Sequence, residues 1–187
     1  MANKDAAFGL RPIGKVGQNR DAQGLSEYDI AASASAIYFN DPVEILSTGT
    51  IGVAAATDAL LGSLTGVFFT DATTSKPTFA NHLNASNTAT DIVGFVSDDP
   101  YQRFEIQSDG ATEATDVGQN ADIVYAAGSS PDFVSKVELD ESDHKDATAQ
   151  LRIIGISKDP ENNTAGSANV NLVVIINEHQ LKGTTGV

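Results

Sequence analysis

A mostly β fold is predicted by three features of this 187-residue chain. Ile92 to Pro100 (Ile-Val-Gly-Phe-Val-Ser-Asp-Asp-Pro) and Ile153 to Pro160 (Ile-Ile-Gly-Ile-Ser-Lys-Asp-Pro) repeat one pattern, a short apolar run with a central Gly closed by Asp-Pro. It reads as a buried strand that turns sharply at its end, because Pro lacks the N–H a ladder needs and an Asp carboxylate bonds nearby amides. From Leu25 onward, β-prone runs alternate with turn residues. Helical periodicity is sparse: Ala56 to Leu61 and Ala147 to Gln150 are each long enough for a turn or so, too short for a helix layer.

Taken in order, residues 1–24 read as an extended arm, since they follow neither the helix nor the strand period and are interrupted by Gly9, Pro12, Gly14, Gly17 and Gly24. The arm is not purely polar: Phe8, Leu10, Pro12, Ile13 and Val16 look like anchors for a groove. The body, 25–187, is expected to place strands near Leu25 to Ile30, Ala36 to Phe39, Val43 to Leu46, Thr50 to Ala55 and Leu64 to Thr70, then Ile92 to Ser97, Arg103 to Gln107, Ala121 to Ala126, Phe133 to Leu139, Leu151 to Ser157 and Val170 to Asn177. Val170, Leu172, Val174 and Ile176 share one face of the last, with Asn171, Val173 and Ile175 opposite, the pattern of a central strand covered on both sides. Asp71 to Pro77 and His82 to Thr90, rich in Thr, Ser and Asn, read as surface loops. The body is one continuous unit or two lobes that part near residues 91–100.

Composition excludes several functions. A net charge of −14 opposes sequence-independent binding of nucleic acid, whose phosphates would be repelled. The charge is uneven: residues 1–20 hold Lys4, Arg11, Lys15 and Arg20 against Asp5 alone, a basic arm on an acidic body. With no cysteine there is no disulfide and no thiol chemistry. No apolar run reaches the roughly 20 residues that span a bilayer, and Met1 to Asp5 do not begin a signal peptide, so the expectation is a product made in a cytoplasm without a membrane partner.

Catalytic signatures are sparse. His82, His144 and His179 lack the spacing of a zinc helix, and no phosphate loop, dinucleotide fingerprint or nucleophile elbow is present. Asp140 to Asp146 is acidic but lacks the turn Gly and terminal Glu of a calcium loop, and reads as a solvated hairpin tip. Asp98 and Asp99 are adjacent, so they cannot flank a glycosidic bond from two sides; turn chemistry explains them. No enzyme and no cofactor is expected.

Ala2 to Pro12, Asp41-Pro42-Val43, Gly66-Val67-Phe68, Asp98-Asp99-Pro100-Tyr101 with Phe104 to Gln107, and Ile175 to Gln180 together resemble the capsid decoration, or cement, proteins of tailed bacteriophages. The resemblance implies a β-tulip or β-barrel-like body with an N-terminal arm, bound outside a phage head as a homotrimer, with the major capsid protein as partner. It also implies capsid docking through the arm, whose candidates here are Lys4, Phe8, Leu10, Arg11, Pro12, Ile13, Lys15 and Arg20. The alternatives are a tail, neck or head-fibre component, or a carbohydrate- or cell-surface-binding β module with Tyr101, Tyr125 and Phe79 as its few aromatic candidates.

Overall fold

A computed structural model describes residues 2–16, 24–145 and 147–182. The protein is mostly β. Its strands are β1 (Arg11–Lys15), β2 (Ser26–Asp29), β3 (Pro42–Ile45), β4 (Ile51–Val53), β5 (Gly62–Thr70), β6 (Pro77–Ala80), β7 (Val93–Ser97), β8 (Gln102–Gln107), β9 (Asn120–Val124), β10 (Glu138–Lys145), β11 (Leu151–Ile156) and β12 (Asn171–Ile176), with one short 3-10 turn at Ala114–Asp116. They form two six-stranded antiparallel sheets. One runs β1-β8-β12-β11-β9-β10; the other runs β2-β7-β5-β3-β4, with β6 on the free side of β5's outer half.

Each sheet curls over its own core. Phe104, Ile106, Leu151, Ile153, Leu172 and Val174 are fully buried under the β8 sheet, and Ile37, Val43, Leu61, Leu64, Val67 and Val96 under the β5 sheet. The β8 sheet bends until Ser108, just past β8, meets Leu139 of β10 through a single parallel bridge. The body is therefore a pair of curved antiparallel sheets, one of them drawn together by that single bridge; it is β-rich as expected of a β-tulip or β-barrel-like body, but it is not a closed barrel. The chain passes between the sheets at the Asp98–Tyr101 turn.

The repeated Asp-Pro segments fold alike. Asp99 accepts the Tyr101 N–H on Oδ1 at 2.8 Å and the Gln102 N–H on its carbonyl at 2.9 Å. Asp159 accepts the Glu161 N–H on Oδ1 at 3.1 Å and the Asn162 N–H on its carbonyl at 3.1 Å. The two side chains close the same turn at the same offsets, the mechanism the sequence pattern implies.

Several expectations need correction. Residues 2–16 are not a free arm: β1 pairs antiparallel with β8, and Leu10 is fully buried in the core under that sheet. Leu10 is seated by its N–H bond to the Asn40 carbonyl at 2.9 Å. Gly9, at φ +73, makes the approach possible, since a Cβ there would lie 2.4 Å from that same carbonyl oxygen. Ala36 to Phe39 contributes only isolated bridges. The expected strand at Phe133 starts five residues later, at Glu138, because Phe133 itself sits at φ +52 and closes a turn onto the Ser129 carbonyl. Asp140 to Lys145 then continue β10 instead of forming a hairpin tip, with a register break between Leu139 and His144. β12 is central, yet Val173 and Ile175 are only half-buried, so its second face is partly open.

Candidate docking site

The candidates in residues 2–16 fall into three groups. Lys4, itself exposed, is held through its main chain: its N–H donates to Asn162 Oδ1 at 3.1 Å and its carbonyl accepts from Gln107 Nε2 at 3.0 Å. Gln107 is fully buried, and its Oε1 also accepts the Ala6 N–H at 2.9 Å. Phe8 and Arg11 form the second group, with the guanidinium 4.4 Å above the ring centroid. Arg11 is also ion-paired with Glu105, whose other oxygen takes the Ser157 hydroxyl. Leu10 belongs to the core and is not a surface anchor. Arg20 lies outside the described residues.

Pro12, Ile13 and Lys15 form the third group, on the outer edge of β1. They line an open cleft of about 300 Å3 together with Leu25, Asp99 and Gln102. The cleft exists because β1 is an edge strand of one sheet and β2, which follows Leu25, is an edge strand of the other. Pro12 cannot donate to a further strand, and the register breaks between Pro12 and Gly14, so this edge is poorly suited to strand addition. Ile13 and Leu25 are about half exposed, and Tyr101 beside them is 61% exposed. The Tyr101 carbonyl accepts the Val16 N–H at 2.8 Å, and Lys182 Nζ sits 4.5 Å above its ring.

The electrostatics differ from a freely available basic arm. Lys15 Nζ lies 2.6 Å from Asp99 Oδ2, and that contact, with the Tyr101 N–H, holds the Asp99 carboxyl below its usual range. Asp98 accepts both the Tyr28 hydroxyl at 2.6 Å and the Ser26 hydroxyl at 2.9 Å. Burial, followed by this acceptor, pushes the Tyr28 phenol up to about 12. Two of the four N-terminal cations are thus matched by carboxylates of their own chain. The cleft presents apolar edges and neutralised charge, a surface for packing and not for ion steering.

Among the described residues, no three His, Cys, Asp or Glu side chains converge as metal ligands would. His82 stacks on Phe133 with centroids 3.8 Å apart, and burial lowers its pKa. His179 is almost fully buried, and the residues on either side of it bond Leu60: the Leu60 N–H donates to the Glu178 carbonyl and the Gln180 N–H donates to the Leu60 carbonyl, each at 2.9 Å. Tyr101, Tyr125 and Phe79 do not make a common platform: they follow β7, follow β9 and lie in β6, and no ring contact joins them. Sequence reasoning missed a different aromatic group, Phe68, Phe79 and Phe95 on the β5 sheet. Alternation within Leu64 to Thr70 and Ile92 to Ser97 was its only legible sign, since no strand is expected between the loops Asp71 to Pro77 and His82 to Thr90, where β6 lies. Comparison with protein-family profiles, curated proteins and solved structures finds no match to this chain.

Proposed function

We propose that this chain is a non-enzymatic structural protein of a virion, which binds the outer surface of a tailed-phage capsid and stabilises it. The observation that carries the reading is the exposed apolar edge that Ile13 and Leu25 give the cleft, with Tyr101 exposed on the adjoining Asp99 turn. The end-to-end sequence resemblance to decoration proteins supplies the identity of the partner, the major capsid protein, and of the setting, the exterior of the head after synthesis in a host cytoplasm. Docking there rests on apolar packing, because Arg11 and Lys15 are already ion-paired with Glu105 and Asp99 of their own chain. Several copies engaging one lattice would strengthen attachment beyond any single contact.

The test is co-sedimentation with heads assembled without this chain, followed by reconstruction of the decorated particles. Wild type should pellet with heads, and an Ile13→Ser, Leu25→Ser, Tyr101→Ser variant should remain in the supernatant while retaining its fold. Wild type that stays in the supernatant, or density inside the head, at the neck or on the tail, sinks the reading.

A further inference from the structure

The outer faces of the two sheets, which the cleft does not use, have complementary character. On the β5 sheet, the register places Asp29 opposite Val93, Val93 opposite Phe68, and Phe68 opposite Phe79. This is one row across β2, β7, β5 and β6. The adjacent row places Glu27 opposite Phe95 and Phe95 opposite Gly66. Phe79 stacks on Phe95, centroids 5.8 Å apart, and also touches Phe68 with centroids 4.8 Å apart. Phe79 remains 74% exposed. The face is aromatic with an acidic border.

On the β8 sheet, the same reading gives Gly14 opposite Arg103, Arg103 opposite Ile175, Ile175 opposite Arg152, and Arg152 opposite Asn120. Arg103 and Arg152 are exposed between buried neighbours and thus point outward, with Ile175 half-buried between them and Val173, half-buried in the next row, opposite Glu105, whose carboxylate is taken by Arg11. Neither arginine is ion-paired among the described residues; Arg152 bonds only amide oxygens, Asn120 Oδ1 at 2.9 Å and Asn177 Oδ1 at 3.4 Å. In a chain of net charge −14, two unpaired arginines bracketing an isoleucine form a local basic, apolar strip.

We propose that the aromatic face of the β5 sheet in one copy packs on the arginine-bordered face of the β8 sheet in a second copy of this chain. The aromatic row crosses four strands, about 14 Å at the usual strand spacing, and the arginine row crosses five, about 19 Å, so the first fits within the second. Phe79 and Phe68 meet Ile175 and Val173, the guanidinium planes of Arg103 and Arg152 cover ring faces, and Glu27 and Asp29 supply the carboxylates those arginines lack. A face-to-face pair of β5 sheets is disfavoured, since it would set Glu27 and Asp29 against their own counterparts. The contact is heterologous, so each copy uses both faces, and repetition generates a ring or an open chain of copies.

The experiment uses purified protein alone and is independent of capsid binding. Sedimentation equilibrium should give wild type a mass above the 19.5 kDa of one chain. Phe79→Ser and the double variant Arg103→Glu, Arg152→Glu should each fall to the single-chain mass with unchanged thermal unfolding. Mixed in equal amounts they should form a two-chain species, because one intact aromatic face then meets one intact arginine face. Adding Glu27→Lys and Asp29→Lys to the arginine double variant should restore self-association through reversed pairs. Wild type at single-chain mass across the soluble range, variants that stay associated, or a mixture that stays monomeric would each overturn the proposal.

Discussion

The Asn162 side chain pairs in both directions with the main chain of Lys4: Nδ2 donates to the Lys4 carbonyl at 2.7 Å, and Oδ1 accepts the Lys4 N–H at 3.1 Å. A carboxamide carries one acceptor and one donor as a peptide unit does, so it can stand in for a missing strand. Gln180 does the same for Ile45, accepting its N–H at 2.7 Å and donating to its carbonyl at 3.1 Å. These amides hold extended segments where no ladder reaches them. Replacing Asn162 with Ala should therefore speed amide exchange at Lys4 and its neighbours by about tenfold or more, while leaving β5 and β7 protected. Hydrogen exchange with residue resolution checks this, and unchanged protection at Lys4 counts against it.

Gln150 performs the most demanding version of this task. It is fully buried; its Oε1 accepts the Ile123 N–H at 3.0 Å, and its Nε2 donates to the carbonyls of Ala55 at 2.8 Å and Asp58 at 2.7 Å. One side chain thus ties β9 of one sheet to the loop after β4 of the other. Gln150→Leu keeps the volume but strands a buried N–H. It should cost about 2–4 kcal/mol in urea unfolding, against less than about 0.5 kcal/mol for the exposed Gln119→Leu. Similar midpoints for the two variants would show that the tie contributes little.

Leu10 gives a sharper test of how the N-terminal residues belong to the body. Its side chain is fully buried among Phe104, Val137, Leu139 and the other residues of that core. Leu10→Ala should lower stability by about 2–5 kcal/mol, and removal of residues 2–16 should cost more by also exposing the β8 edge and taking the Ala6 N–H away from the buried Gln107 Oε1. Equilibrium unfolding of both variants checks this; a truncated chain as stable as the intact one would return the segment to the status of a loose arm.

The misread arm shows where sequence and structure part. Alternation in Asn171 to Ile176 and Leu151 to Ile156 was legible because side chains there face a core on one side of a continuous ladder. Residues 2–16 follow no period because their partners are not a regular ladder: the amides of Gln107 and Asn162, the Asn40 carbonyl and finally β8. Such contacts are non-local and invisible to windowed reasoning. The basic character of the segment was legible, but not that Glu105 and Asp99 match Arg11 and Lys15. Likewise no strand is expected at Thr78 to Ala80, a short stretch between two segments that read as loops; its pairing with the end of β5, which creates the Phe79 surface, is a tertiary effect.

Asp41 makes stability depend on pH with a predictable sign. Its side chain is fully buried immediately before β3, and its Oδ2 accepts the Tyr38 N–H at 2.7 Å. Burial raises the carboxyl from 3.8 to about 6, against smaller lowering by Ser135 and the Tyr38 N–H. The folded state therefore favours the protonated acid. Its contribution is fully present below the unfolded value near 4, declines as pH rises through about 6, and is absent above that, a change of about 3 kcal/mol at 1.4 kcal/mol per pKa unit. Asn at this position keeps an acceptor for Tyr38 and cannot ionise. The Asp41→Asn variant should accordingly gain stability relative to wild type between pH 4 and pH 7, by about 2–3 kcal/mol. Urea midpoints of both proteins across that interval provide the measurement, since carboxylates common to the two cancel in the difference. A difference that stays constant from pH 4 to pH 7, or that runs in favour of wild type as pH rises, would show that Asp41 is ionised at no cost in the folded protein.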